Sequence, residues 1–180
     1  MKTIKVTIEG VTPLLMNSPK SMLDEAMGVT SKTTKRDIKV DCDKLAYKMK
    51  DGTLYIPSEA IKGCLIGASS YKKFGRFTAK PIVAGGVIIS PQEVSLKTKK
   101  YEMDIRTVVI QRARVVKARP KLEKWKVDFI INYDEELIPD ANLIKPILED
   151  AGKRVGLLDF RPAKNGSFGI FKITNWEESK

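Results

Sequence analysis

From Trp125 to Tyr133 every second side chain is apolar: Trp125, Val127, Phe129, Ile131 and Tyr133, with Lys126, Asp128 and Asn132 among the residues between them. A two-residue period turns one face of an extended strand to a core and the other to water. This chain must therefore build a sheet with one covered face. The same period runs from Thr3 to Glu9, where Ile4, Val6 and Ile8 oppose Lys5, Thr7 and Glu9.

What covers that face is written in a second period. Ile61, Cys64, Leu65 and Ala68 recur at helical spacing, with Ser58 placed to cap their helix. Ile144, Ile147, Leu148, Ala151 and Val155 form a second such stripe. Proline is tolerated only in the first helical turn, so Pro146 points to Asn142 as the cap of that helix in preference to Asp140. Thr53 to Ile56, after the Asp51-Gly52 turn, reads as a short strand, and Ile82 to Ile89 as an apolar strand broken by glycine. Ile105 to Ile110 and Val115 to Lys117, with Gln111 to Arg114 between them, read as a long hairpin, and Phe168 to Thr174 as the last strand.

The main elements run strand, helix, hairpin of two strands, helix, strand. That order predicts an α+β class, a ferredoxin-like βαββαβ core with both helices on one face of an antiparallel sheet. A length of 180 residues suits one domain over residues 1–180. Two segments stand out from it: a polar insertion over 16–41, expected to be poorly ordered alone, and a basic hairpin region over 97–124. No apolar run or signal-like start points to a membrane, which predicts a cytoplasmic protein with no membrane partner. Cys42 and Cys64 are unpaired in sequence and are expected to be reduced, Cys64 in the core.

Charge points to a partner. There are 33 Lys and Arg against 22 Asp and Glu, for a formal +11. From Lys97 to Lys126, eleven basic residues stand against three acidic ones, so that segment alone carries +8. Such a field attracts polyanions. The absence of histidine removes Ser-His and Cys-His nucleophiles, histidine metal sites and the usual base of metal-independent ribonucleases. There is no P-loop and no dinucleotide fingerprint, so no cofactor is expected.

Gly156, Gly166 and Gly169 surround Arg161 and Lys164 between the second helix and the last strand. Glycines bend the backbone and admit close approach, so this loop is a candidate grip on a phosphodiester chain; a helix cap and a turn explain it equally. Arg106, Arg112, Arg114, Lys117 and Arg119 are the corresponding candidates in the hairpin, where alternating sign would be expected if charge served only to protect an edge. Tyr71, Phe74 and Phe77 are interleaved with Lys72, Lys73, Arg76 and Lys80, a composition for stacking bases while holding phosphates, although core packing of one or two rings is as well supported. Asp24, Asp37 and Asp41 in the polar insertion, with Asp43, are acids that could support a divalent metal. A solvated loop accounts for these acids without chemistry, and no second positioned ligand accompanies them, so neither a catalytic residue nor a metal site is assigned.

The segment Tyr55, Ile56, Pro57, Ser58, Glu59, Ala60, Ile61, Lys62, Gly63 resembles the "IPGSSLKG" element of the RAMP superfamily, the RRM-like proteins of CRISPR ribonucleoprotein complexes. Val11, Thr12, Pro13, Leu14, Leu15 resembles the "TPL" end of that family's first strand, and the C-terminal glycine loop resembles its glycine-rich loop. The chain departs from the pattern at Ser58, Glu59 and Ala60, and Cys64 stands where an arginine is usual. The resemblance is to backbone subunits that coat guide RNA. It implies a phosphate contact for Lys62, a thumb made by Ile105 to Pro120, and a backbone grip by Arg161 and Lys164. The partners it implies are RNA or single-stranded DNA, further copies of the chain along the strand, and other CRISPR-type subunits. The alternatives are a RAMP-type endoribonuclease, for which the resemblance to RNA-cleaving relatives implies a loop aspartate (Asp24, Asp37 or Asp41) with metal, and a protein-only scaffold that docks an acidic partner.

Overall fold

The computed structural model of the protein describes residues 1–27, 37–110 and 112–178. In chain order its elements are β1 (Lys2–Gly10), β2 (Leu14–Leu15), α1 (Lys20–Ala26), α2 (Ile38–Lys44), β3 (Tyr55–Pro57), α3 (Ser58–Ser69), β4 (Lys73–Phe74) and β5 (Phe77–Thr78). There follow α4 (Ala79–Gly86), β6 (Val87–Ser90), β7 (Glu93–Ser95), β8 (Glu102–Ile110), β9 (Ala113–Leu122), β10 (Lys126–Tyr133), α5 (Lys145–Asp150) and β11 (Phe171–Glu178).

The central sheet has the order β11-β1-β10-β6, antiparallel throughout. With α3 between β1 and β6 and α5 between β10 and β11, this is the ferredoxin-like arrangement that the two periods predict. Ile4, Val6 and Ile8 of β1 and Val127, Phe129, Ile131 and Tyr133 of β10 are buried. They share one core with Ile61, Cys64, Leu65 and Ala68 of α3 and with Ile147 and Leu148 of α5.

Several local expectations are corrected. The second core strand is β6, four residues long, and the predicted strand over Ile82 to Ile89 is helical up to Gly86. A short apolar run carries no period long enough to tell strand from helix. The hairpin of β8 and β9 stands apart from the central sheet, as expected, and joins β2 in a separate three-stranded sheet ordered β2-β9-β8. Pro57, not Ser58, is the N-cap of α3, and Ser58 is buried in its first turn. Asp140 is a cap after all: its carboxylate accepts from the Asn142 amide at 2.8 Å and starts a 3-10 turn over Ala141–Leu143. That turn feeds α5, so Pro146 still falls in a first turn. The last strand starts at Phe171, three residues later than predicted.

The polar insertion contains α1 and the first half of α2, and residues 28–36 lie outside the described residues. Cys42 and Cys64 are both free and buried. No helix among the described residues is long and apolar enough to cross a membrane.

Candidate nucleic-acid interface

α5 ends in a wide turn over Ala151–Val155, where the Gly156 amide donates to the Ala151 carbonyl at 2.9 Å. Gly156 has φ 72°, and a Cβ there would come within 2.7 Å of Pro162. Gly169, with φ 70°, closes the far side of the loop, where a side chain would collide with the Leu157 carbonyl. Both positions need glycine for conformation and for space. The Leu157 amide donates to the Gly169 carbonyl at 3.0 Å and pins the neck between them. Inside the neck, Leu158 (φ 59°) and Phe160 (φ 48°) sit in the left-handed region. Such residues cost about 1 to 3 kcal/mol each and are kept only where their surroundings fix them.

The surroundings are fixed by the loop's own amides. Asp159 donates to the Leu15 carbonyl, Phe168 to Phe160, Gly169 to Pro13, and Lys164 and Gly166 to Arg161. These N–H groups are spent inside the protein. Arg161 is half-buried, and its Nη1 donates to the Leu158 carbonyl at 2.7 Å. Lys164 is exposed at the outer edge. The loop therefore offers a lysine to solvent, while its arginine braces the left-handed turn.

β8 and β9 form a ribbon whose base is seated on this loop. Successive side chains of a strand face opposite sides, so Asp104, Arg106, Lys117 and Arg119 share one side of the paired strands. On that side Arg119 donates to Asp159 at 2.7 Å, Lys117 to the Asn17 side chain at 3.0 Å and Arg106 to Asp104 at 2.8 Å. The Arg106 guanidinium also lies 5.0 Å from the centre of the Phe168 ring. Arg119 is only 7% exposed, which removes it from any solvent-facing set. Further out, Arg112 (φ 67°) in the turn and Arg114 beside it are exposed and form no ion pair among the described residues.

The formal charge of the segment is thus partly consumed. Of its eleven basic side chains, Lys97, Arg106, Arg119 and Lys121 hold carboxylates. In an open cleft of about 1050 Å³ beside the ribbon base, Lys97, Lys100, Lys121, Lys124 and Lys126 face Glu9, Glu102, Glu123 and Asp128, a near balance that gives a polyanion little advantage.

The remaining candidates lie elsewhere. Lys62 is half-buried on α3. The loop approaches α3 at Cys64, whose thiol is pushed up to about 12 by burial against the opposing pull of Arg161. Two residues separate the pair by about 200° around a helix, so Lys62 leaves α3 on the other flank. Lys72 is bound to Asp150 at 2.8 Å, while Lys73 and Arg76 are exposed on the β4–β5 hairpin. The open side of the central sheet carries Lys5, Thr7, Asp128 and Asn132, of mixed polarity and, among the described residues, without an aromatic platform.

Of the acidic candidates, Asp37 caps α2 by accepting from the Lys39 amide at 2.9 Å, and Asp41 is exposed in the first turn of that helix. Asp24 lies on α1. Among the described residues no three potential metal ligands converge.

Sequence reasoning missed one network. Asp43 accepts from Lys48 and, at 2.5 Å, from the Tyr101 hydroxyl, tying α2 to the segment that enters β8. These bonds hold the Asp43 carboxyl below its ordinary 3.8, Lys48 contributing most. Burial, reinforced by Asp43, pushes Tyr101 up. A carboxyl with a lowered folded-state pKa gives its full stabilisation above the unfolded value and loses it as pH falls through the folded one. Thermal melts from about pH 5 to about pH 2 should show an acid-side loss of stability that Asp43→Asn makes shallower. An identical acid limb in that variant would remove Asp43 from it.

No family model matches the sequence, and a search of curated proteins found no match. Among solved structures, the chain is similar to one in the cryo-EM structure of the Type III-B Cmr-beta bound to cognate target RNA, with a TM-score of 0.57 and 17% identity. The match covers 99% of this chain and 61% of the other, so this chain spans about three fifths of that one's length. The likeness is one of fold: the ferredoxin-like α+β architecture is shared with a chain of that assembly at a distant level.

Proposed function

We propose that this protein is a non-enzymatic, single-domain binder of RNA or single-stranded DNA, acting in the cytoplasm, with copies lining up along the strand in a CRISPR-type assembly. The observation that carries this reading is the seating of the ribbon. Internal pairs fasten its base to the glycine loop and leave Arg112, Arg114 and Lys164 open to solvent. A projecting arm with uncompensated cations beside a lysine-edged loop suits a flexible polyanion better than a folded acidic protein. RNA is favoured over DNA because the fold is shared with a chain in an RNA-bound complex.

Contact between copies is supported by the other side of the ribbon. Ile105, Val109 and Val116 lie there, 54%, 70% and 54% exposed. Exposed apolar strips of this kind serve protein contacts.

Affinity dominated by phosphate neutralisation falls steeply with salt and varies little with sequence. The protein purified from its native cells should carry nucleic acid, seen as a raised ratio of absorbance at nucleic-acid to protein wavelengths and released by high salt. A protein-like absorbance ratio together with salt-insensitive binding of oligonucleotides would refute the reading.

A further inference from the structure

We propose that the hairpin following α3, residues 71–80, is a separate seat for unpaired nucleic acid that takes bases by stacking on Tyr71 and Phe77. The inference rests on the nucleic-acid reading above but uses none of the residues that carry it. Tyr71 is 92% exposed and Phe77 72% exposed. Rings left in water add little burial energy to the fold that displays them. Neither forms an aromatic pair among the described residues.

The segment holding them is anchored. Phe74 packs against the core and Ala79 is fully buried. The Ala79 amide donates to the Lys72 carbonyl at 2.9 Å, and the Lys72 ammonium is bound to Asp150 of α5. Gly75, with φ 59°, turns the chain between β4 and β5. The rings thus project from a fixed base.

Charge selects the occupant. Residues 71–80 hold Lys72, Lys73, Arg76 and Lys80 and no acid. Lys73, Arg76 and Lys80 are exposed and form no ion pair among the described residues. Cations with interleaved aromatic faces fit a single strand, where phosphates meet the charges and every base offers a π face irrespective of sequence.

The test is fluorescence anisotropy with a labelled uridine oligomer and the same oligomer carrying abasic residues. Tyr71→Ala with Phe77→Ala should weaken binding of the uridine oligomer about tenfold or more and leave its salt slope unchanged. Binding of the abasic oligomer should not change. Tyr71→Trp with Phe77→Trp restores a stacking face and should keep the wild-type affinity, which separates lost stacking from lost folding. Equal affinity of wild type and the alanine variant for the uridine oligomer would overturn the proposal, as would an equal loss on both oligomers. Displacement of the oligomer by a polyglutamate peptide from wild type, but not from the alanine variant, would reassign the hairpin to an acidic protein partner. If wild type binds neither oligomer, the nucleic-acid function itself fails, a result distinct from normal binding by the alanine variant.

Discussion

Arg112→Glu together with Arg114→Glu lowers affinity for a single-stranded oligonucleotide by on the order of a hundredfold at low salt and makes the dependence of log affinity on log salt shallower by about one to two units. The effect is large because these side chains meet no carboxylate among the described residues and stand at the far end of a ribbon whose strands run about 30 Å. Reversal removes two attractions and adds two repulsions. Stability should be almost unchanged, because neither side chain is buried. Anisotropy titrations over a range of salt, beside a melting curve, read both quantities. A wild-type salt slope in the folded variant would remove the ribbon tip from the interface.

Asp159→Ala has the largest expected effect on the fold, a loss of about 3 kcal/mol in unfolding free energy. Arg119 is closed between the ribbon and the loop, and its Nε already has no partner there. Its Nη1 bond to Asp159 is the contact that compensates the buried charge. Removing the carboxylate leaves a desolvated guanidinium, whereas removing both charges leaves an apolar contact. Adding Arg119→Met to Asp159→Ala should therefore recover much of the loss. Denaturant titration of both variants measures it. A double variant no more stable than Asp159→Ala would show that the cost lies in loop geometry instead of charge.

The contrast between these arginines marks the limit of what could be read in advance. Arg112, Arg114 and Arg119 look alike in a basic segment, and strand alternation places Arg119 on a side without saying what covers it. Its partner lies forty residues away, in a loop whose path depends on three left-handed non-glycine residues, Leu158, Phe160 and Asn165. By contrast, β1, β10, α3 and α5 were legible because each repeats its period over enough residues to define a face. β6 was not: its Val87, Ile88 and Ile89 are apolar in succession beside an apolar helix, so no alternation marks a face. The long hairpin was legible as a hairpin standing apart from the core because its two β-prone runs lie close together in sequence; its pairing with the two-residue β2 was not. The 71–80 rings divided as composition allowed, Phe74 inward and the other two outward, a choice that depends on the turn at Gly75.

The glycine loop also has a bearing on how such a surface could diversify. Since the Asp159 and Gly169 amides already serve Leu15 and Pro13, and those of Lys164, Gly166 and Phe168 serve the loop's own turns, the groups projecting from its rim are the ones free to vary what it would hold. Under the proposed function, exchanging Lys164 or Ser167 would alter what the rim prefers and leave the main-chain path intact. Descendants could retarget the molecule one side chain at a time, with no penalty in architecture.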